Sequence, residues 1–302
     1  MHTEVAAAPL PYPAQPHEAS HPHVPFASGV SSQGMHWTIY CADAKEVLAT
    51  LPDQSFHCAV TSPPYYWLRD YGVTGQIGQE DKVSQYVAAI ADTMDQVRRT
   101  LRDNGSLFLN LGDTYYSGKG ESQGVDRKNN KRRFGLRAVD RSGGLDVGVK
   151  PKCLIGIPWR VALEMMSRSW VLRSSIIWHR KYALPEAVKD RPRRSYEYVF
   201  MFVKKRSYYF NRSALEDVKL EEDVWTIRAK PKPTNGIDTA PFPDDLVQRC
   251  LDLGCPTGGS VLDPFAGGGT TLRVALAHQR HATGIDLNPA FCRYMASVLP
   301  RA

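Results

Sequence analysis

Hydrophobic and polar positions follow two alternating periods from residue 36 onward. Apolar runs of strand length predict β-strands at 37–41, 57–61, 106–111, 171–178, 197–203, 260–264 and 281–286. Apolar residues at helical spacing predict helices at 44–50, 82–102, 158–169, 243–253, 270–279 and 289–299. Because strands alternate with helices, we expect an α/β fold with a mostly parallel sheet and helices on both of its faces.

Two parts of the chain depart from this alternation. The runs at 171–178 and 197–203 flank a basic, proline-containing loop, which predicts an antiparallel hairpin at one edge of the sheet. Residues 1–34 are rich in Ala, Pro, His and Ser and show no periodicity, which predicts a disordered tail. We therefore expect a tail over 1–34 followed by one domain over 35–302.

Composition excludes several classes of protein. Hydrophobic residues make up 42% of the 302 positions, an ordinary share for a globular protein. No apolar run approaches the roughly 18 residues of a membrane span, and no pattern marks a secretory signal, so we expect a cytoplasmic protein. The six cysteines form no C-x-x-C pair, which favours free thiols and predicts that no zinc or other metal site is present.

The net charge of +7 is concentrated in two stretches. Residues 117–150 contain nine Lys or Arg against four Asp or Glu, and residues 189–206 contain seven against two. Clustered basic residues are typical of a surface that binds nucleic acid phosphates, and two solvated loops are the alternative. We expect basic, nucleic-acid-binding insertions around 117–150 and 183–206.

The stretch "SVLDPFAGGGTTLRVALAHQ", residues 260–279, predicts a strand, a Gly-rich turn and a helix. Asp263 lies at the carboxyl end of the strand, where open α/β sheets bind ligands. The next strand ends at Asp286, nineteen residues after Gly267, which is about the spacing from which an acid reaches ribose hydroxyls. The P-loop and G-x-G-x-x-G patterns are absent. A nucleoside site with a carboxylate at its mouth remains, and the sulfonium cation S-adenosylmethionine fits it.

The stretch "VTSPPY", residues 60–65, ends an apolar run with two prolines. Proline cannot donate to a sheet ladder, so the strand stops there. The pair Pro63-Pro64 stiffens an elbow that holds Ser62 and Tyr65 at the tip of the strand.

Together, "VTSPPY" and the later "DPFAGGGTT" resemble the amino-group DNA methyltransferases over most of residues 36–299. With the elbow first and the Gly-rich turn last, the motif order resembles the permuted β group of that family. The resemblance implies a circularly permuted, Rossmann-like methyltransferase sheet with S-adenosylmethionine as cofactor. A Pro-Cys dipeptide, which the class that methylates the 5-carbon of cytosine requires, is absent.

The resemblance also implies roles for the residues of the elbow. The Ser62 hydroxyl and the Pro63 carbonyl would hold the target amino group with its lone pair toward the methyl group. Pro64 would keep the elbow rigid, since near-attack geometry fails with errors of about 1 Å. Tyr65 would stack on the flipped base.

A further set of residues is implied to bind the cofactor. "YCADAKEVL" corresponds to a strand end that places Asp43 near the adenine, and "TAPFPDDL" is similar to a segment that contacts the methionine part. The expected cofactor-binding residues are Asp43, Phe242, Pro243, Asp263, Pro264, Phe265, Gly267, Gly269, Thr270, Thr271, Asp286 and Asn288.

The target base follows from the first residue of the elbow motif. In this family Ser-Pro-Pro-Tyr goes mostly with N4-cytosine and Asp-Pro-Pro-Tyr with N6-adenine. Ser62 therefore favours cytosine, although either side chain can accept a hydrogen bond from either amino group. The alternatives to a DNA methyltransferase are a catalytically silent DNA-binding regulator and an RNA methyltransferase.

The expected partners are double-stranded DNA, a cognate restriction endonuclease and a second copy of the chain in a homodimer. The expected location is the cytoplasm, in a bacterium or in a cell infected by a phage that encodes the protein. Lys131, Arg132 and Arg133 in one basic stretch and Arg193 and Arg194 in the other are the expected DNA-binding residues.

Overall fold

The computed structural model describes residues 23–118, 145–181, 189–216, 218–229 and 242–300. Its strands are β1 (Ala27–Val30), β2 (His36–Cys41), β3 (Phe56–Thr61), β4 (Leu101–Leu111), β5 (Val171–Lys181), β6 (Tyr196–Val203), β7 (Val224–Arg228), β8 (Ser260–Asp263) and β9 (His281–Asp286). Its α-helices are α1 (Ala44–Thr50), α2 (Val83–Thr100), α3 (Ile157–Ser167), α4 (Val218–Glu221), α5 (Asp244–Gly254), α6 (Thr270–Ala277) and α7 (Pro289–Val298), and a 3-10 helix spans Arg212–Glu216. Every predicted strand and helix is present, so the local patterns are confirmed.

The described strands form a single mixed sheet in the order β1-β2-β9-β8-β3-β4-β6-β5-β7. The run from β2 to β4 in this order is parallel, whereas β6 is antiparallel to both β4 and β5. This confirms a mostly parallel sheet with an antiparallel part.

The hairpin of β5 and β6 lies one strand in from the edge rather than at the edge as predicted. β7 pairs in parallel with β5 and forms the outer strand. Its alternation buries Trp225 and Ile227 and exposes Val224, Thr226 and Arg228. The run is five residues long and follows an acidic segment, so its pattern is weak in the sequence.

The prediction of a disordered tail over 1–34 is wrong for its last part. β1 pairs antiparallel with β2, and Trp37 of β2 is 1% exposed. A Cβ on Gly29 would lie 2.6 Å from the Trp37 ring, so the glycine lets the indole pack flat against β1. The strand therefore depends on a tertiary contact that a Gly-containing segment does not reveal locally. Residues 1–22 lie outside the described part.

Helices cover both faces of the sheet. Side chains of β3 alternate between two hydrophobic clusters, with Ala59 in one and Cys58 and Val60 in the other. The first cluster includes helices α1 to α3 through residues such as Ile90, and the second includes α5 to α7 through residues such as Leu272. None of the helices in the described ranges is both long and apolar enough to cross a membrane.

The topology brings one set of strand ends to a common edge. β2, β3, β4, β8 and β9 are mutually parallel, so their carboxyl ends meet there. β6 runs the other way, and Tyr198 near its start pairs with Leu111 at the end of β4. Glu197 therefore lies at the same edge as the elbow that follows β3. This is the edge at which open α/β sheets bind ligands.

Candidate active site

The TSPPY elbow leaves the sheet at the carboxyl end of β3 and is held from several directions. The Thr61 hydroxyl donates to Asp263 Oδ1 at 2.7 Å. The Pro64 carbonyl accepts a hydrogen bond of 2.9 Å from the Tyr86 hydroxyl. Since the two prolines also restrict the backbone, Ser62 has a defined position in the wall of a cleft.

The hydroxyl of Tyr65, the last residue of the elbow, lies inside a polar network. Tyr65 Oη is 2.6 Å from Glu197 Oε2 and 3.1 Å from Asn110 Oδ1. Ser62 Oγ lies 3.4 Å from the same hydroxyl. Burial and the charge of Glu197 raise the pKa of Tyr65 well above its usual range, so the phenol stays protonated and donates.

Glu197 is the centre of this network. Its Oε1 accepts a hydrogen bond of 3.0 Å from Arg180 Nη1, and its Oε2 accepts one of 3.3 Å from Asn110 Nδ2. The Glu197 side chain is 13% exposed. The sequence interpretation missed both Asn110 and Glu197. Their signal is a polar residue inside an otherwise apolar strand, in "LFLNL" and "YEYVFMFV".

The Gly-rich turn folds around the carboxylate of Asp286. Asp286 Oδ2 accepts a hydrogen bond of 2.7 Å from the Gly267 amide, and Oδ1 accepts one of 2.8 Å from the Asn288 amide. Gly267 has φ 53° and Gly269 has φ 77°, a region that glycine adopts without strain. Burial raises the pKa of Asp286 to about 6, against the effect of the two amides.

Asp263 is a structural centre of the site. Its Oδ2 accepts a hydrogen bond of 2.6 Å from the Thr271 hydroxyl, in addition to the Thr61 hydroxyl and Phe265 amide on Oδ1. The residue is 1% exposed, and burial raises its pKa to about 6. The sequence interpretation assigned Asp263 and Thr271 to the cofactor, and the structure shows them bonded to each other.

A cleft with an empty volume of about 940 Å³, measured to its open mouth, separates the elbow from the Gly-rich turn. Most of the predicted residues line it together. They are Asp43, Ser62, Pro64, Phe242, Asp263, Pro264, Phe265, Gly267, Thr270, Asp286 and Asn288. Pro243, Gly269 and Thr271 are not in its lining. Pro243 and Gly269 are the N-caps of α5 and α6. Pro63 is buried within the elbow.

Two predicted cofactor residues are also helix N-caps. Asp43 accepts hydrogen bonds from the Lys45 and Glu46 amides at 2.8 and 3.2 Å, and Asn288 accepts one from the Ala290 amide at 2.9 Å. A cap fixes the side chain at the mouth of the cleft while leaving further lone pairs on its oxygens.

The segment after the elbow forms a wall of the cleft that the sequence interpretation missed. Tyr71, Gln76 and Ile77 line the cleft, and the Tyr71 ring meets Phe291 edge-on at 6.0 Å. The Tyr71 amide donates to Gln76 Oε1 at 2.8 Å, which closes the segment on itself. In the sequence, the aromatic and amide residues of this segment are interspersed with glycines. Ordinary surface loops share this pattern, so it only weakly indicates a binding site.

A second cavity, with an empty volume of about 590 Å³, borders Tyr65. Tyr66 and Tyr196 add aromatic surface to its lining, and Arg180 and Glu197 add charge. A Cβ on the neighbouring Gly112 would lie 2.6 Å from the Tyr65 ring. Tyr65 thus lines this cavity, whereas Ser62 and Pro64 line the cleft. In the described ranges, no group of His, Cys, Asp or Glu side chains is arranged to hold a metal ion.

The two predicted DNA-binding arginines that are described differ in their surroundings. Arg193 is exposed. Arg194 donates to the Asp113 carbonyl, and its guanidinium lies 5.7 Å from the centre of the Tyr115 ring. Arg194 therefore fastens the loop before β6 to the end of β4. Lys131, Arg132 and Arg133 lie outside the described residues.

The basic stretch 189–206 does not form one surface, because β6 divides it. Residues 189–195 precede β6 and lie at the sheet edge that carries the elbow. Lys204 and Lys205 follow the other end of β6 and pair with Asp103 at 3.4 and 2.6 Å. The eight residues of β6 separate the two groups by about 26 Å.

Comparisons with known proteins assign the chain to a family. The family model described as DNA methylase, which covers N6 and N4 methyltransferases, matches residues 56–297. The Type II methyltransferase M.SmaI of Serratia marcescens is 41% identical over 261 residues, which cover 84% of this chain and 87% of that protein. M.XycI of Xanthomonas campestris pv. cyanopsidis is 40% identical over 268 residues, which cover 87% of each chain.

Solved structures share the fold. The cytosine-N4-specific PvuII DNA methyltransferase superposes with a TM-score of 0.67 at 17% identity, covering 90% of this chain and 89% of its own. M1.HpyAVI, crystallised with S-adenosylmethionine, superposes with a TM-score of 0.55 at 16% identity, covering 86% and 98%. Since the family model spans most of the sequence and two relatives are at least 40% identical, the chain belongs to the S-adenosylmethionine-dependent DNA methylase family and is a DNA methyltransferase.

Proposed function

We propose that this enzyme transfers a methyl group from S-adenosylmethionine to the exocyclic amino group of a base flipped out of duplex DNA. The position of the elbow is the observation that carries the proposal. Ser62 and Pro64 line the large cleft, and Tyr65 lines the second cavity. A methyl donor in the cleft and a base in the second cavity would therefore meet at the Ser62 hydroxyl.

The residues of the cleft fit S-adenosylmethionine. Asp286 has lone pairs left for ribose hydroxyls after its two amide bonds, and Asp43 can accept from the adenine amino group. Phe242 and Phe265 supply apolar walls, and Gly267 lets the backbone approach the ligand. Bound there, S-adenosylmethionine supplies an electrophilic methyl group on a sulfonium.

The elbow would activate the base by orientation. The target nitrogen is conjugated into its ring and is a poor nucleophile. Ser62 Oγ and the Pro63 carbonyl would accept its two N–H groups and aim the lone pair at the methyl group. The Tyr65 ring would stack on the base, which offsets part of an unstacking cost of a few kcal/mol.

For the target we infer the N4 amino group of cytosine, on the strength of Ser62 in the TSPPY motif. The N6 amino group of adenine is the alternative, because a serine hydroxyl can accept from either.

The proposed partners are duplex DNA that carries a recognition sequence and a restriction endonuclease that cleaves the unmethylated form. Both relatives named above are called Type II methyltransferases. A homodimer is a further prediction, which sedimentation of the purified chain with and without DNA tests. We expect the enzyme to act on the chromosome in a bacterial or phage-infected cell.

The test is methyl transfer from tritiated S-adenosylmethionine to genomic duplex DNA, to its denatured strands and to total RNA. We expect label in duplex DNA, and digestion to nucleosides should place it in N4-methylcytosine. Label in N6-methyladenine would keep the reaction and change the base.

Label confined to RNA, or no label with any nucleic acid, would contradict the proposal. The Ser62→Ala variant is the control for contaminating activity, because it should bind the cofactor and transfer little label. DNA binding by the wild type without transfer would favour the silent regulator.

A further inference from the structure

A chain of polar contacts runs from the elbow to the half-buried carboxylate of Glu197. Ser62 Oγ lies 3.4 Å from Tyr65 Oη, and Tyr65 Oη lies 2.6 Å from Glu197 Oε2. At 3.4 Å the first contact is longer than an ordinary O–H···O bond of about 2.5–3.0 Å, and catalytic contacts of this kind commonly tighten when substrate binds. The 2.6 Å contact has the length of a charge-assisted bond from a hydroxyl to a carboxylate.

The donors and acceptors of this chain have one consistent direction. Glu197 Oε2 is an acceptor, so Tyr65 donates its proton to it. Tyr65 Oη can then accept the proton of Ser62, which leaves the lone pairs of Ser62 Oγ for an amino group in the site. Each hydroxyl is thus ready to take one proton and pass on another.

We propose that Glu197 is the terminal acceptor of a proton relay that removes the proton from the target nitrogen during methyl transfer. This inference rests on the proposed function. The nitrogen lone pair forms the N–C bond while the S–C bond breaks and leaves its electron pair on sulfur. In the same step the nitrogen proton passes to Ser62 Oγ, the Ser62 proton to Tyr65 Oη and the Tyr65 proton to Glu197 Oε2.

The charges balance across this step. The sulfonium becomes a neutral thioether as the Glu197 carboxylate becomes a neutral acid, so no separated charge is created in the site. Without the relay, the product nitrogen would carry a positive charge until solvent removed its proton.

The surroundings of Glu197 suit this role. Arg180 occupies Oε1 at 3.0 Å, so that Oε2 is the oxygen presented to Tyr65. Asn110 Nδ2 is also bonded to the Tyr198 carbonyl at 3.0 Å, which holds the amide in place beside the Tyr65 hydroxyl. The strand β6, which carries Glu197, is paired on both sides, so the carboxylate has a fixed distance to the elbow.

The experiment measures single-turnover methyl transfer to duplex DNA by rapid quench in H₂O and in D₂O. The variants are Glu197→Gln, Tyr65→Phe and the double variant. We expect each single variant to lose on the order of 10² in rate, the range of general acid–base catalysis. The double variant should lose no more than either single one, because one break ends the relay.

The isotope effect separates a relay from a structural role. The wild type should show a normal solvent deuterium isotope effect on the transfer step, and both single variants should lose it. Calorimetric affinity for S-adenosylmethionine and the thermal unfolding midpoint should stay near the wild-type values in Tyr65→Phe. Glu80→Gln is the matched control, since Glu80 is another half-buried carboxylate, bonded to the Gly78 amide and outside the chain from Ser62.

A wild-type rate without a solvent isotope effect would overturn the proposal, as would full rates in both single variants or an equal loss in Glu80→Gln. A wild type that methylates no exocyclic amino group would instead overturn the proposed function.

Discussion

The Thr61 hydroxyl donates a 2.7 Å hydrogen bond to the carboxylate of Asp263, across 202 residues of sequence. The other carboxylate oxygen accepts the Thr271 hydroxyl, so Asp263 joins the end of β3, the end of β8 and the first turn of α6. Thr61 directly precedes Ser62. The bond therefore sets the distance between the elbow and the Gly-rich turn.

The buried carboxylate of Asp263 should make stability depend on pH. Burial raises its pKa from 3.8 to about 6 in the folded chain. Between those values the folded state binds more protons than the unfolded state, so this group's contribution to the free energy of unfolding falls as pH rises through the window. Two pKa units correspond to at most about 3 kcal/mol.

Denaturant unfolding of the wild type and of Asp263→Asn from about pH 4 to about pH 7 tests this. The free energy of unfolding of the wild type should rise relative to that of Asp263→Asn as the pH falls. Asp103→Asn is the control without a trend in this window, because a hydrogen bond from Lys205 lowers the pKa of that exposed carboxylate below its ordinary value of 3.8. A pH-independent difference for Asp263→Asn would show that the buried carboxylate does not titrate in this window.

Ser62→Ala should lower turnover by on the order of 10² or more, because it removes the acceptor that orients the amino group. Folding and affinity for S-adenosylmethionine should be close to normal. Steady-state methyl transfer and calorimetry on the same preparation measure both. Ser167→Ala is the control, since its hydroxyl bonds to the Glu164 carbonyl at the end of α3. A variant at Ser62 that keeps most of its rate would exclude this acceptor role.

Asp286→Ala should weaken S-adenosylmethionine binding by about 1.5–3 kcal/mol, the contribution of a charged hydrogen-bond acceptor. The pKa of Asp286 is raised to about 6 by burial, so wild-type affinity should fall as the pH drops through that value and the carboxylate loses its charge. Asp286→Asn, which keeps the shape without the charge, should lack this pH dependence. Titration calorimetry at several pH values measures it, and equal affinity in all three proteins would contradict the assignment.

Arg193→Ala and Arg194→Ala should have different effects. Arg193 is exposed near the elbow, and its loss should cost about 1–3 kcal/mol of affinity for the recognition sequence if it reads a base. Arg194 is bonded to the Asp113 carbonyl, so its loss should lower the thermal unfolding midpoint. Fluorescence anisotropy with specific and unrelated duplexes, together with thermal unfolding, separates the two outcomes. Equal DNA affinity in Arg193→Ala and the wild type would remove Arg193 from the interface.

The triple replacement of Lys131, Arg132 and Arg133 by Ala should weaken binding to specific and unrelated duplexes alike. Each lost phosphate contact lowers the magnitude of the negative slope of log K against log salt by about 0.9, so three contacts predict a magnitude smaller by about 2.7. Binding titrations across a range of salt concentrations give the slope. If these residues are solvated surface, neither affinity nor slope will change.

Local sequence patterns specified most of the strands and helices of the core, the position of the elbow and the position of the Gly-rich turn. These are local properties: a period of two or 3.6, a pair of prolines that ends a strand, and glycines that accept positive φ. Strands of one direction end at one edge, and Asp43, Ser62 and Asp286, which lie at or just after strand ends, line one cleft. The roles of Asp43 and Ser62 came from the family resemblance and not from the periodicity.

Which side chains face each other depends on the three-dimensional packing of the strands and helices. The pairing of β1 with the Trp37 strand, the placement of β7 outside the hairpin and the division of the basic stretch by β6 depend on contacts between distant segments. So does the bond between Tyr65 and Glu197, which lie 132 residues apart. A single glutamate in an apolar strand is visible in the sequence, but its partner is fixed by the antiparallel register of β6 on β4, which local periodicity does not encode.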